Sequence, residues 1–252
     1  MIHLAALPGS PRSTLSLAGC LDAALRDAES LQAGGVDGVI VENFNDVPFR
    51  PGSVDPYTVA AMTHISLKVR EQVSCRLGIN VLRNDAQAAL GIAAAVNAEF
   101  VRVNIHSGAM LTDQGGLTGS ADRTLRTRRE LGAEHIQIFA DVLVKHAVPF
   151  GPLELEDAVE DAIVRGLADA IVVTGAATGK TTLTDDVRRA ANVAGRVPVY
   201  VGSGISADNV MEFVPIAQGL IAGSWLKIEG DVRNRVDVER VRRLRSALDT
   251  RS

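Results

Sequence analysis

The chain has 252 residues and a formal net charge of −4 at pH 7, with 46% hydrophobic and 22% charged residues. This composition is typical of a soluble globular protein with a large core, and its acidic balance argues against the clustered positive charge of a nucleic-acid-binding surface. No apolar run reaches the ~18 residues of a membrane-spanning helix, so we expect a cytoplasmic protein with no nucleic-acid partner and no membrane span.

Short apolar runs rich in β-branched residues alternate with amphipathic stretches along the whole chain. The apolar runs predict strands at 2–6, 37–43, 76–81, 99–105, 135–142, 169–174, 197–202 and 219–223. The amphipathic stretches predict helices at 18–33, 56–73, 85–97, 121–132, 154–166, 184–194, 206–217 and 237–249. Strands that alternate with helices at this spacing form βαβ units and a parallel sheet.

Eight strand-helix units in a chain of about 250 residues match the strand count and the size of a TIM barrel. The predicted fold class is therefore α/β, with a single (β/α)8 TIM barrel as the one domain over residues 1–252. A doubly wound open sheet is the alternative. The regular repeat disfavours it, because no point is evident at which the strand order would reverse.

Polar residues lie at the carboxyl ends of the predicted strands, where TIM barrels carry their active sites. They are Glu42 and Asn43 on the second strand, Asn80 and Arg83 on and after the third, Arg102, Asn104 and His106 on the fourth, Asp141 and Lys145 on and after the fifth, and Thr174 on the sixth. Because side chains alternate along a strand, Arg102, Asn104 and His106 are predicted to point into the barrel together. Each residue alone is compatible with a structural role, but burying so many polar groups at one rim costs free energy unless they share a function.

Two glycine-serine turns follow the seventh and eighth predicted strands. The first consists of Gly202, Ser203 and Gly204, and the second of Gly223 and Ser224. Glycine lets backbone N–H groups approach an anion closely, and the N-terminus of the following helix favours negative charge. TIM barrels commonly hold a phosphate on these two loops, so we predict a phosphate or similar oxyanion here. The alternative is that both turns only connect strand to helix.

The segment AIVVTGAATGKTTL (170–183) has the look of a nucleotide-binding loop. A Walker loop places four residues between its first glycine and the Gly-Lys-Ser/Thr triplet, whereas three residues separate Gly175 from Gly179. The loop is one residue too short, and we expect neither a nucleotide nor another cofactor. After the sixth strand it would lie beside the phosphate turns, where Lys180 either contacts the anionic ligand or is solvated.

Several long blocks of sequence are distinctive, among them GGVDGVIVENFNDVPF (34–49), FVRVNIHSGAMLTDQG (100–115), IVVTGAATGK (171–180) and VYVGSGISADNV (199–210). Together they resemble the BtpA family, which includes SgcQ-type proteins, over nearly the whole chain. The resemblance implies a single TIM-like barrel and a metabolic enzyme acting on a sugar- or nucleoside-derived phosphate. A cyanobacterial member also links the family to the stability of photosystem I.

The first functional hypothesis is an enzyme for a small phosphorylated metabolite whose phosphate binds the two glycine turns. Glu42 and Asp141, with Lys145 or His106, would carry out acid–base chemistry in an isomerase, or the two carboxylates would cleave a glycosidic bond. Lys145 could instead form a Schiff base in aldolase-type chemistry. The expected substrate contacts outside the turns are Asn43, Asn80, Arg83, Asn104 and Thr174, and the loop at 106–120 is long enough to act as a lid.

Two other hypotheses differ in class. A metal-dependent hydrolase would use His3, Glu42, His106, Asp141 and His146, but the paired His-x-His of barrel hydrolases is missing from the first strand, so no metal is expected. A non-catalytic assembly factor for a membrane complex would not need polar residues on four adjacent strand ends. Barrels of this kind often self-associate, and a homo-oligomer is expected.

Overall fold

The computed structural model describes residues 1–142, 147–175 and 182–249. The strands of this part of the chain are β1 (Ile2–His3), β2 (Gly38–Glu42), β3 (Arg76–Asn80), β4 (Phe100–Val103), β5 (Ala109–Thr112), β6 (Gly115–Thr118), β7 (Gln137–Val142), β8 (Ala147–Pro149), β9 (Ala170–Val173), β10 (Val199–Val201) and β11 (Gly219–Leu220). Eight of them form one parallel sheet in the order β1-β2-β3-β4-β7-β9-β10-β11. The order never reverses, so the predicted TIM-barrel topology is confirmed and the doubly wound alternative is wrong.

The two edge strands of the curled sheet, β1 and β11, lie near each other but are not joined by strand-pairing hydrogen bonds. The nitrogen of Met1 donates a hydrogen bond of 2.9 Å to the carbonyl oxygen of Ala222, just after β11. The first strand is shorter than the predicted 2–6, because the carbonyl oxygen of Leu4 accepts from the Asn45 side chain at 2.7 Å instead of continuing a strand pairing.

Helices cover the outside of the sheet. Those of the described residues are α1 (Leu17–Ala33), α2 (Pro56–Gln72), α3 (Ala86–Ala95), α4 (Ala121–Glu130), α5 (Leu155–Glu160, extended by a π turn at Asp161–Arg165), α6 (Thr184–Ala194), α7 (Val210–Phe213) and α8 (Val238–Asp249). Local signals explain several starts: Ser16 and Asp85 cap α1 and α3 by accepting from backbone N–H groups, and Pro56 opens α2. None of these described helices is long and apolar enough to cross a membrane.

The helix predicted at 206–217 is reduced to α7, which has one turn. Asn209 Oδ1 accepts from the backbone nitrogen of Ser206 at 2.9 Å, and Asn209 Nδ2 donates to the carbonyl oxygen of Gly204 at 2.8 Å. These two bonds close a turn where the helix was expected to begin. Pro215 has no N–H to donate and therefore limits the helix at its other end.

Two layers of side chains lie inside the barrel. The lower layer is apolar and includes Ile40, Phe100, Phe139, Val172 and the partly buried Tyr200. Its aromatic rings are in contact, with centroids 4.5 Å apart for Phe100 and Phe139 and 4.6 Å apart for Phe139 and Tyr200. Alternate residues of a strand share a face, so the positions two residues further along these strands form the upper layer: Glu42, Arg102, Asp141, Thr174 and Gly202.

The loops after β4 and β7 combine in a second, smaller sheet. β5 and β6 form an antiparallel hairpin, and β8 pairs antiparallel with β5. Met110 and Leu117 of the hairpin are buried together with Ile105, which follows β4. The loop predicted as a lid at 106–120 is therefore largely an ordered hairpin that is hydrogen-bonded to the next loop of the barrel.

Candidate functional site

The upper layer contains a buried ion pair between neighbouring strands β4 and β7. Arg102 Nε and Nη2 donate to the two carboxylate oxygens of Asp141 at 2.8 and 2.9 Å, and Asn104 Nδ2 donates to Asp141 Oδ2 at 3.0 Å. Burial lowers the pKa of Arg102, and the Asp141 carboxylate more than offsets this, so the pKa of the guanidinium stands above its ordinary value. Because donors occupy both Asp141 oxygens, this carboxylate orients Arg102 and Asn104 and is poorly placed to exchange protons with a ligand.

Glu42 at the end of β2 is held differently. Its Oε2 accepts a hydrogen bond of 2.6 Å from Asn80 Nδ2, while its Oε1 lies 3.8 Å from His3 Nε2. The His3 ring stacks on Phe44 with centroids 4.3 Å apart. Asn80 therefore fixes one carboxylate oxygen, and the other remains on the side of His3.

A cavity of about 330 Å³ lies at the carboxyl ends of the strands. Its walls include His3, Glu42, Arg102, the turn at 202–206 and the turn at 223–225. A larger cavity of about 520 Å³ lies at the opposite end of the barrel and is lined mainly by apolar side chains such as Phe100, Phe139 and Leu244. In TIM barrels that opposite face contributes to stability, so we take the smaller cavity, which we call the mouth cavity, as the candidate site.

The two glycine-serine turns both border the mouth cavity. The backbone N–H groups of Gly204, Ile205 and Gly223 form no hydrogen bond within the described part of the chain. The N–H of Ser206 is already bonded to Asn209, and α7 is too short to add a useful helix dipole. The expected anion site thus keeps its backbone donors but loses the contribution of a helix N-terminus.

His106 and Asn43 make contacts within the protein that the sequence does not predict. The Nε2 atom of His106 lies 2.7 Å from the carbonyl oxygen of Gly166, which follows the helix α5 and its π turn. His106 is therefore buried among the outer helices and does not share the inward face of Arg102 and Asn104. Asn43 uses its whole amide group on the backbone of Leu82 and on Asp46, so it fixes the β2 and β3 loops and is not free for a substrate.

The other predicted substrate contacts, Arg83, Asn104 and Thr174, differ in their charge and in their hydrogen bonding. Burial lowers the pKa of Arg83, and the carboxylates of Asp113, Asp141 and Glu42 act against this shift. Asn104 Oδ1 and Thr174 Oγ1 are buried atoms that have no hydrogen-bond partner among the described residues. Such atoms are unusual in proteins unless water or a ligand contacts them.

Three residues that the sequence singled out, Lys145, His146 and Lys180, lie outside the described residues. Within the described ranges, no group of three or more His, Cys, Asp and Glu side chains is arranged to hold a metal ion. The set considered for a metal-dependent hydrolase is also divided, since His106 contacts Gly166.

Sequence reasoning underrated two cavity residues. The alternation of side chains puts Arg102 on the inward face without indicating a role for it, and the sequence suggests His3 only as a metal ligand. Both can be found from the sequence, because each lies two residues after a member of the apolar layer and therefore on the same face of its strand. Arg102 comes two residues after Phe100, and His3 two residues after Met1, which packs against that layer.

The BtpA family model matches residues 1–250 of the chain. The photosystem I biogenesis protein BtpA of Synechocystis sp. is 47% identical over 241 residues, which cover 96% of this chain and 84% of the relative. An uncharacterized protein of Thermococcus kodakarensis is 48% identical, covering 97% of this chain and 92% of the relative. An uncharacterized mitochondrial protein of Caenorhabditis elegans is 34% identical, covering 99% and 92%.

Solved structures with a similar fold have low sequence identity. Phosphoribosyl anthranilate isomerase from Thermus thermophilus superposes with a TM-score of 0.56 at 13% identity, covering 90% of this chain and 95% of that one. Orotidine 5′-phosphate decarboxylase from Pyrococcus horikoshii gives 0.58 at 13% identity, covering 90% and 94%. At this identity the likeness establishes the barrel fold alone.

Proposed function

The chain belongs to the BtpA family, and we propose that it is an enzyme acting on a small phosphorylated sugar or nucleoside-derived compound. The observation that carries the proposal is the mouth cavity, in which one carboxylate, Glu42, and the two glycine-serine turns line the same space of about 330 Å³. A cavity of this size suits a small metabolite. We also propose that the protein is cytoplasmic and that it forms a homo-oligomer.

The two turns form the anion end of the proposed substrate site. The N–H groups of Gly204, Ile205 and Gly223 have no other hydrogen-bond partner in the described chain, and backbone N–H groups bind phosphate oxygens well. Two of the structurally similar barrels are named for phosphorylated compounds, phosphoribosyl anthranilate and orotidine 5′-phosphate. These names favour the same ligand class here.

Glu42 forms the reacting end. Its hydrogen bond with Asn80 orients the carboxylate, and a positioned carboxylate is a general acid–base catalyst. Asp141 is a weak second carboxylate for glycosidic cleavage, because Arg102 and Asn104 occupy both of its oxygens. A single carboxylate favours isomerase or lyase chemistry, while the aldolase-type variant depends on Lys145, which lies outside the described residues.

A non-catalytic assembly role is the second candidate, because the 47% identical relative is named a photosystem I biogenesis protein. Comparable relatives come from an archaeon and a nematode, organisms without photosystem I. A role limited to that complex would therefore not account for the family as a whole.

The test is turnover of a panel of pentose phosphates and nucleoside 5′-monophosphates, followed by phosphorus-31 NMR. We expect the wild-type protein to convert at least one member and Glu42→Gln to lose about 100-fold or more in rate. Glu99→Gln is the matched control, since Glu99 pairs with Arg70 at the other end of the barrel. No turnover of any member, or equal turnover by Glu42→Gln, would contradict the enzymatic proposal.

A further inference from the structure

We propose that Arg102 is a direct ligand of the anionic group of the substrate, a phosphate monoester, and that its guanidinium binds this group together with the backbone N–H groups of the neighbouring turn. The inference rests on the proposed phosphate site and adds to it a charged side chain that determines specificity. It gives Arg102 a second function besides its ion pair with Asp141.

The first argument is the hydrogen-bond capacity of the guanidinium. Arginine carries five N–H donors, and Asp141 accepts from Nε and from one N–H of Nη2. Within residues 1–142, 147–175 and 182–249, the two N–H groups of Nη1 and the second one of Nη2 donate to no residue, although Arg102 is only 3% exposed. These unused donors are available to an acceptor that enters the cavity.

The second argument is where these donors lie. Arg102 is part of the wall of the mouth cavity, so its free edge, formed by Nη1 and Nη2, has access to a ligand there. A Cβ atom built on Gly202 would lie 2.6 Å from Val172 Cγ1, 2.9 Å from Thr174 Cγ2 and 3.2 Å from Arg102 Nη2. The guanidinium is thus in contact with the turn whose next amides, Gly204 and Ile205, are unbonded.

The third argument is the chemistry that this set of donors recognises. A planar guanidinium edge matches two oxygens of a phosphate, and nearby backbone N–H groups can bind the remaining ones. Asp141 uses one edge of Arg102 and fixes the plane of the other, so the ligand meets an oriented donor pair. Asp141 is therefore a positioning residue, and Arg102 is a ligand-binding one.

The test uses Trp225, which is the only tryptophan of the sequence and lines the same cavity. Its fluorescence is titrated at constant ionic strength with inorganic phosphate and, separately, with ribose 5-phosphate. Arg102→Lys keeps the positive charge but loses the planar guanidinium and its paired N–H donors. The double variant Arg102→Gln with Asp141→Asn removes both charges, so that neither is left unpaired. The matched control makes the same double change, Arg128→Gln with Asp169→Asn, in an ion pair near the amino-terminal end of β9.

We expect phosphate to bind the wild-type protein about 10-fold more tightly than Arg102→Lys and about 100-fold more tightly than the Arg102–Asp141 double variant, as charge-assisted hydrogen bonds of typical strength predict. The control should bind within about 2-fold of wild type, because this partly buried ion pair lies at the opposite end of the barrel from the mouth cavity. Unchanged affinity in both Arg102 variants, with normal binding by the wild type, overturns the role of Arg102 and leaves the proposed function standing. Absence of binding by the wild-type protein overturns both.

A crystal of the wild-type protein soaked in phosphate gives an answer that does not depend on the folding of a variant. We expect a phosphate oxygen within about 3 Å of Arg102 Nη1 or Nη2, the distance of a charge-assisted hydrogen bond. A phosphate held at the glycine turns with no oxygen in hydrogen-bond range of Arg102 would overturn the inference.

Discussion

Arg102 and Asp141 form a bidentate ion pair across neighbouring strands, and their side chains are only 3% and 0% exposed. A surface pair would contribute little to stability, whereas here the loss of one partner leaves a charge buried without its counterion. The same two residues also define the plane in which the free edge of the guanidinium faces the mouth cavity.

Asp141→Asn tests the structural side of this pair. We expect the free energy of unfolding to fall by about 3–5 kcal/mol, because Arg102 keeps its charge in a buried site. Equilibrium unfolding in urea measures the change. Asp37→Asn is the control, since Asp37 pairs with Arg245 at 3.0 Å but is 88% exposed, and the expected loss is below about 1 kcal/mol. Equal, small losses in the two variants would contradict the prediction.

Asn80→Ala tests whether the amide orients Glu42. The hydrogen bond of 2.6 Å goes to a carboxylate oxygen, and its loss should lower turnover by about 10-fold or more. The affinity for inorganic phosphate should stay within about 2-fold, because the anion end of the cavity is formed by other residues. Asn84→Ala removes an amide that bonds the backbone of Ile105 instead. If both variants lose turnover equally, Asn80 has no special role in positioning Glu42.

Gly78→Ala tests the tight contact in the apolar layer of the barrel. A Cβ atom at this position would lie 2.2 Å from the ring of Phe100, so we expect a loss of about 1–3 kcal/mol from overpacking. Gly91→Ala is the matched control, because nothing lies within 4 Å of the added atom in helix α3. That change should stabilise the protein by about 0.5–1 kcal/mol. Thermal unfolding of the two variants distinguishes them by the sign of the shift.

His106 should make stability depend on pH. Burial lowers the pKa of its imidazole below the ordinary value of 6.5, so between these two values the unfolded chain binds more protons than the folded one. Stability should therefore decrease as the pH falls from about 6.5 towards the lower folded pKa. His106→Gln should reduce this decrease in a series of melting temperatures between pH 7.5 and 5, while His64→Gln, on the exposed side of α2, should not. A series for His106→Gln that parallels the wild type would contradict the assignment.

The barrel was predictable from the sequence because its signals are local and repeated. Each strand run alternates with a helix, and residues such as Ser16, Pro56 and Asp85 mark helix starts within a few positions. The inward direction of Arg102, Asn104 and Asp141 also follows from a period of two, since Phe100 and Phe139 occupy the same faces two residues earlier.

The features that the sequence did not predict come from side chains that form hydrogen bonds with distant parts of the chain. Strand β4 ends at Val103, so the alternation of side-chain directions that predicts the inward position of Arg102 and Asn104 does not extend to His106. His106 instead contacts Gly166, sixty residues away in the sequence. Asn43 has the right position for a substrate contact, but Leu82 and Asp46 take up its amide. Asn209 likewise replaces the expected start of a helix with a turn. No spacing pattern reports such contacts, since they depend on how distant loops meet.

The pairing of β5 with β8 has a mechanical consequence. Because Met110, Leu111 and Thr112 are in register with Pro149, Val148 and Ala147, the two loops above β4 and β7 are joined edge to edge. A displacement of one must carry the other or break the pairing between them. The hairpin and β8 therefore behave as one sheet of three strands, and a substitution that disrupts the pairing of β5 with β8 should affect the position of both loops.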